Sequence, residues 1–117
     1  MTEVTYPIQM VRGVPVVRVP EEIDITSAAA LREALLQAAT QGQTIIVDMA
    51  QTQFCDTAGI HALVLAHKRA LADGRQLRLV TPGGNVLRIL EITGIVRVIP
   101  HFTDLEQALN PAPAGTP

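Results

Sequence analysis

Residues 44–63, TIIVDMAQTQFCDTAGIHAL, join a predicted buried strand to a predicted helix. The first five residues form a continuous apolar run that ends in Asp48, a pattern typical of a strand covered on both faces in a parallel sheet. After a short loop, Asp56 and Thr57 stand directly before an apolar helical pattern that extends from about residue 58 to Ala72. Either residue is a favoured helix N-cap, so the segment predicts strand, loop and helix.

Strands and helices alternate on both sides of this segment. Two β-branched runs at 8–12 and 14–19 predict a hairpin, in which Pro15 favours an edge position. The later predicted elements are a helix capped by Thr26 or Ser27 and stopped by Gly42, strands at 76–80 and 95–99, a helix between those strands that ends at Gly94, and a last helix at 104–109 capped by Thr103. In the helix after Asp56, the residues predicted to face the core are Ile60, Leu63, Val64, His67 and Leu71.

The element order β-β-α-β-α-β-α-β-α predicts a single α/β domain. Strands that alternate with helices imply right-handed crossovers and a mostly parallel sheet, here of four or five strands with about four helices and an N-terminal hairpin strand at one edge. A chain of 117 residues with 48% hydrophobic and 17% charged residues can build one core. The predicted domain spans 1–110, and the Pro-rich segment 111–117 is expected to be a mobile tail.

Composition and charge exclude several classes of function. A net charge of −2 and few aromatic residues give no basic or stacking surface for nucleic acid. A single cysteine suits a reducing compartment, and the N-terminus lacks the pattern of a signal peptide. No apolar run approaches the ~18 residues that a membrane helix needs. We therefore expect a cytoplasmic protein that does not insert into a membrane.

The candidates for catalysis and metal binding are weak. Cys55 has His61, not arginine, at the position where a phosphatase loop needs its phosphate-binding residue, and a lone cysteine is most often a small buried hydrophobe. His61 and His67 are six residues apart, so one helix places them on different faces and His67 is expected to be a hydrogen-bonded core residue. We expect no metal and no cofactor.

Two phosphate-related alternatives remain open at this level. The glycine-rich segment at 81–87 opens a predicted helix and could cradle a phosphate, but it lacks the ending of a P-loop and the spacing of a dinucleotide fingerprint. Asp48 or Asp56 could be the phospho-acceptor of a receiver domain, but no lysine follows the late strands; the one lysine is Lys68, on a helix. A helix cap alone would account for Asp56 and Thr57.

Three segments together resemble one family, the anti-sigma factor antagonists of bacteria, which are single STAS domains (sulphate transporter and anti-sigma factor antagonist). The family pattern of a strand ending in Asp, then Asp-Ser-Ser-Gly or Asp-Thr-x-Gly opening a helix, occurs here as residues 45–63. Its early Gly-Glu-Leu-Asp occurs as residues 21–24, and its late Leu-Glu-Leu-Thr-Gly-Leu occurs as LEITGI at 90–95. The resemblance spans roughly residues 8–109 and agrees with the predicted element order.

The resemblance implies a non-enzymatic switch in transcription regulation. Family members bind an anti-sigma factor, often a serine/threonine protein kinase, which phosphorylates the hydroxyl of the motif and so ends binding; a separate phosphatase resets the switch. Carried onto this chain, Thr57 is the phosphoacceptor, and the partner-binding residues are Asp24, Asp56, Thr57, Ala58, Gly59 and Ile60. Thr57 and Ala58 stand where the family commonly has serines, and the methyl group of Thr57 bears on kinase compatibility.

Two other functions fit the same sequence. A STAS protein that is never phosphorylated can serve as an assembly subunit of a membrane transport or stress-signalling complex. A small α/β enzyme would instead use Asp56 or Cys55 in catalysis. Phosphate on Thr57 after incubation with ATP and a kinase supports the switch, a tight non-kinase partner supports the subunit, and turnover lost in Cys55→Ala supports the enzyme.

Overall fold

The computed structural model describes residues 6–81 and 83–110. The proposed tail at 111–117 lies outside the described residues. The strands are β1 Ile8–Val11, β2 Val14–Arg18, β3 Glu22–Ile23, β4 Thr44–Asp48, β5 Phe54–Cys55, β6 Gln76–Val80 and β7 His101–Phe102. The helices are α1 Ala28–Ala38, α2 Thr57–Ala72, α3 Gly84–Ile92 and α4 Leu105–Leu109, with a 3₁₀ turn at Ile95–Arg97.

A five-stranded sheet in the order β1-β2-β4-β6-β7 forms the centre of the domain. Only β1 is antiparallel, and it lies at one edge as the hairpin partner of β2; the other three pairs are parallel. The hairpin turn has positive φ at Arg12 (52°) and Gly13 (80°), as a two-residue type I′ turn requires. The predicted fold class, a mostly parallel sheet with an N-terminal hairpin strand and four helices, is confirmed.

Two hydrophobic clusters cover the two faces of the sheet. The larger one joins Val17, Val47 and Leu79 of alternate strand positions to α1, α2 and α3. The smaller one joins Val16, Ile46 and Val80, which point the other way, to α4. Residues 45–48 of β4 are all buried, which confirms the prediction of a strand covered on both faces.

Pro15 does not lie in an edge strand, because β2 pairs with both β1 and β4. The parallel pairing with β4 begins at Val16, so the missing N–H of Pro15 interrupts no bond of that ladder. Gly42 does not stop α1, which ends at Ala38. A β-carbon at Gly42 would lie 2.7 Å from Cδ of Pro15, so this glycine allows the α1–β4 loop to pack on the proline.

The buried face of α2 differs from the prediction. Large side chains suggested a face that included Val64, His67 and Leu71, but the first two are half-buried and Leu71 is 57% exposed. The residues that α2 buries are Gly59, Ala62, Leu63, Ala66 and Ala70. Four of these five are small, so α2 can approach its neighbours closely, and hydrophobic size alone gave the wrong face.

The segment 95–99 is not a strand. Ile95 and Ile99 are buried while Val98 is 57% exposed, and the spacing of four residues between the buried pair fits a helical turn. The last sheet strand is instead His101–Phe102, which pairs with β6. The last helix is capped by Asp104, whose carboxylate accepts from the N–H of Gln107 at 2.8 Å, and not by Thr103.

Candidate functional site

A second, two-stranded sheet brings the two acidic motifs together. β3 and β5 pair in parallel, with Ile23 opposite Cys55, and the N–H of Asp56 donates to the carbonyl of Ile23 at 3.1 Å. Asp24 and Asp56 each follow the last residue of their strand. Because the two strands are parallel, both residues lie at the C-terminal end of this small sheet, next to each other. Neither strand was predicted from the sequence, because a strand of two residues carries no periodic signal.

The loop between β4 and β5 is held so that β5 lies along β3. The buried carboxylate of Asp48 accepts from the N–H of Ala50 at 2.9 Å and lies 3.6 Å from Nε of Arg18. The buried hydroxyl of Thr52 donates to the carbonyl of Pro20 at 2.9 Å. Asp48 is therefore an internal support of the loop, and its burial does not suit the phospho-acceptor of a receiver domain.

Asp56 caps α2 and so fixes the position of Thr57. Its carboxylate accepts from the N–H groups of Ala58 at 3.0 Å and Gly59 at 3.2 Å, and its backbone is extended, as an N-cap requires. Thr57 is the first residue of the helix and its side chain is exposed. A modifying enzyme can therefore reach this residue in the folded protein.

Gly59 lies where the first turn of α2 touches the small sheet. A β-carbon there would stand 2.6 Å from Sγ of Cys55 and 2.8 Å from Cγ2 of Ile23, closer than real contacts allow. The absence of a side chain thus lets the helix start rest directly on β3 and β5. Gly59 is buried, so its contribution to the site is the position of Thr57 two residues before it.

Asp24 organises the turn that follows β3. One carboxylate oxygen accepts from the N–H of Thr26 at 2.9 Å and from its hydroxyl, and the hydroxyl of Ser27 accepts from the N–H of Asp24 at 3.1 Å. The hydrogen bonds from Thr26 lower the pKa of the Asp24 carboxyl from its usual value. Ser27 is the N-cap residue of α1, as predicted, but its hydroxyl makes no capping bond.

The structure divides the predicted site residues by accessibility. Asp24 and Thr57 are exposed; Asp56, Ala58 and Ile60 are half-buried; Gly59 is buried. All six lie at the ends of β3 and β5 or in the first turn of α2. Thr52, which supports the β4–β5 loop, was not predicted, because its role depends on a long-range contact that no local pattern reveals.

Cys55 is a buried hydrophobe, as predicted. Its side chain is 2% exposed, and burial, with a smaller contribution from the charge of Asp56, raises the pKa of the thiol to about 12. Only the thiolate is a competent nucleophile, and this environment disfavours it. The geometry therefore gives no support to catalysis by Cys55.

We expect Cys55 to react with a disulfide reagent at pH 8 at least about tenfold more slowly in the folded protein than in urea, because burial and the raised thiol pKa both suppress attack. Absorbance of the released thiolate measures the rate. A Cys55→Ala/Ala72→Cys variant, with its one cysteine at an exposed position, is the control and should react quickly in the folded state. Equal rates for folded and unfolded wild type would contradict this burial.

The structure does not support the role predicted for His67. Nδ1 of His67 is buried without a hydrogen-bond partner among the described residues, so His67 is not the hydrogen-bonded core histidine that was predicted. Burial lowers the pKa of the His67 imidazole.

Within residues 6–81 and 83–110, no group of three histidine, cysteine or acidic side chains could hold a metal ion. No helix in the described part of the chain is long and apolar enough to cross a membrane.

Comparison with known proteins gives consistent matches over most of the chain. The model of the STAS domain family matches residues 6–108. The anti-sigma-B factor antagonist of Bacillus subtilis (strain 168) is 30% identical over 83 residues, which cover 71% of this chain and 76% of that protein. The anti-sigma-F factor antagonist RsfB of Mycobacterium tuberculosis is 25% identical over 104 residues, covering 88% and 84%. The crystal structure of an anti-sigma factor antagonist from Mycobacterium paratuberculosis superposes with a TM-score of 0.81 at 25% identity, covering 90% of each chain.

Proposed function

The chain belongs to the STAS domain family, and from this we propose that it is an anti-sigma factor antagonist that is switched off by phosphorylation of Thr57. The relatives in Bacillus subtilis and Mycobacterium tuberculosis are named as antagonists of the anti-sigma-B and anti-sigma-F factors. By binding an anti-sigma factor, this protein would release a sigma factor for transcription. The observation that carries the proposal is the exposed side chain of Thr57 at a rigid helix start.

The position of Thr57 suits a phosphate that leaves the fold intact. The N-terminus of α2 carries the positive end of the helix dipole, which stabilises a nearby anion. Asp56 already caps this end, so phosphorylation adds charge outside the capping bonds and need not break them. The sixteen residues of α2 make it the longest element described, and its buried face anchors it to the core. We therefore expect the phosphorylated chain to keep its structure.

The same phosphate is expected to prevent docking of the partner. It adds a charge of about −1.5 to −2 beside Asp56 and Asp24. A partner that covers this surface has to remove water from that charge. Burying the charge is costly unless the partner has a phosphate-binding site that pairs with it. Repulsion and desolvation at such a contact cost about 2–5 kcal/mol. The switch thus acts at the interface and does not require refolding.

The proposed partners are a serine/threonine kinase that is itself the anti-sigma factor, and a phosphatase that removes the phosphate. Both act on the exposed side of Thr57, and neither needs a cofactor held by this chain. A cytoplasmic location follows from the proposed role, since sigma factors and ATP-dependent kinases work there. We assign the protein a regulatory and not a catalytic role, because Cys55 is buried with a raised thiol pKa and Asp56 is engaged as a cap.

Capture of the partner from the native cell tests the proposal. Immobilised wild type should retain an anti-sigma factor with a kinase fold, identified by mass spectrometry, and that purified protein with ATP should place phosphate on Thr57. Thr57→Ala should accept no phosphate under the same conditions, while its binding to the partner is retained. Phosphate on another residue, or a specific partner that is not an anti-sigma factor, would contradict the proposed function.

A further inference from the structure

Ile25 is an exposed apolar residue in the turn that follows β3, the strand paired with the one that leads to Thr57. It follows Asp24 at the C-terminal end of the small sheet, the end at which Asp56 and Thr57 also lie. Its side chain is 78% exposed, although Ile23, two residues earlier at the end of β3, is completely buried. Nothing in the core would change if position 25 were polar, so stability of the fold does not explain the isoleucine.

The turn that carries Ile25 is fixed on both sides. The carbonyl of Asp24 accepts from the N–H of Ala28 at 2.9 Å, and the Asp24 carboxylate accepts from the N–H of Thr26 at 2.9 Å. The hydroxyl of Tyr6 donates to the carbonyl of Ser27 at 3.4 Å. Ile25 is thus held outward by a braced backbone, so little conformational entropy is lost when a partner covers it.

Four acidic residues lie in or next to the two strands of the small sheet that precede Ile25 and Thr57. Glu21, Glu22 and Asp24 are exposed, and Asp56 is half-buried. The salt bridges within residues 6–81 and 83–110 involve none of these four side chains. Phe54, 45% exposed, lies opposite Glu22 on the outward face of the small sheet and adds apolar area. The surface therefore combines exposed apolar area with negative charge that none of the described salt bridges neutralises.

We propose that Ile25 is the apolar anchor by which this protein docks its anti-sigma factor, entering a hydrophobic pocket that is flanked by lysine or arginine side chains. This inference rests on the proposed function, because it assigns the contact to the same partner. Charge complementarity to the four carboxylates and continuity with Thr57 specify the occupant. In protein interfaces a few residues near the centre, packed into desolvated pockets, carry most of the affinity.

Truncation of Ile25 tests the anchor. We expect Ile25→Ala to weaken binding of the purified anti-sigma factor about tenfold, which corresponds to about 1.4 kcal/mol. Ile92, also 78% exposed but at the far end of α3, provides the matched control, and Ile92→Ala should bind within about twofold of wild type. Isothermal titration calorimetry measures both. In phosphorylation of Thr57 by that factor, Ile25→Ala should raise KM and leave kcat nearly unchanged, because Ile25 contributes to binding and takes no part in the reaction at the Thr57 hydroxyl.

The outcomes separate the anchor from the proposed function. If wild type binds the anti-sigma factor and Ile25→Ala binds equally tightly, the anchor is wrong and the proposed function stands. If wild type does not bind the anti-sigma factor at all, the proposed function is wrong and the anchor falls with it. If sedimentation shows that wild type is a dimer and Ile25→Ala is a monomer, the residue serves contact between two copies, which also overturns the inference.

Discussion

Replacing Thr57 with glutamate is expected to weaken binding of the anti-sigma factor by a factor of about 30 to several thousand, equivalent to about 2–5 kcal/mol. The new carboxylate would stand beside Asp56 and Asp24 on a surface that the partner has to desolvate. The capping bonds of Asp56 to Ala58 and Gly59 use backbone N–H groups, so they remain available in the variant. Calorimetry with the purified partner measures the loss, and circular dichroism verifies that the fold is retained.

Two control variants isolate the effect of charge at this position. Thr57→Ser keeps the hydroxyl and removes only a methyl group, so it should bind as wild type does. Thr103→Glu adds the same charge at another exposed threonine, beside the N-cap Asp104 of α4, and should also bind normally. Glutamate carries less charge than phosphate, so within this range the loss of affinity should be smaller for Thr57→Glu than for phosphorylated Thr57. Unchanged affinity in Thr57→Glu would contradict the switch.

Replacing Gly59 with alanine is expected to lower the free energy of unfolding by about 1–3 kcal/mol. Its β-carbon would stand 2.6 Å from Sγ of Cys55 and 2.8 Å from Cγ2 of Ile23. The crowding exceeds the gain of about 0.5–1 kcal/mol that alanine brings to a helix over glycine. Because relief requires the first turn of α2 to move away from the small sheet, Thr57 would be displaced and partner binding should weaken too. Urea denaturation gives the stability.

A second substitution tests whether the crowding is the cause. Cys55→Ala removes the sulfur atom that a β-carbon at Gly59 would meet first. In the double variant, Gly59→Ala should therefore cost less than it does in the wild-type background, with a coupling of at least about 0.5 kcal/mol. Additive effects of the two substitutions would contradict the close contact described between α2 and β5.

The sequence predicted the central elements because each carries a strong local signal. β4 and β6 were predicted with the bounds that the structure has, since both are continuous or alternating apolar runs between polar turns. α2 was predicted to start within one residue of its observed start, because Asp56 and Thr57 are both favoured cap residues; the structure shows Asp56 as the cap. The site residues could be named only through the family resemblance, because a capping Asp-Thr pair is by itself an ordinary helix start.

The predictions were wrong where contacts between residues distant in sequence determine the secondary structure or the buried face. β3 and β5 are two residues long and exist because residues more than thirty positions apart meet. The apolar run at 95–99 has high strand propensity, yet its two isoleucines are buried one helical turn apart. Four of the five residues on the buried face of α2 are glycine or alanine, so the positions of the large apolar side chains did not reveal that face. The geometry of the site depends on the pairing of β3 with β5, so it could not be predicted from the sequence.

A phosphate at Thr57 is expected to block docking of the anti-sigma factor while the domain keeps its structure. The direct measurement uses one isotope-labelled preparation, phosphorylated to completion by the partner, purified, and compared with the unmodified form by amide NMR and by partner affinity. We predict shift changes confined to the start of α2 and the adjoining ends of β3 and β5, together with an affinity loss of at least about 30-fold. Shift changes throughout the five-stranded sheet, or equal affinity of the two forms, would contradict it.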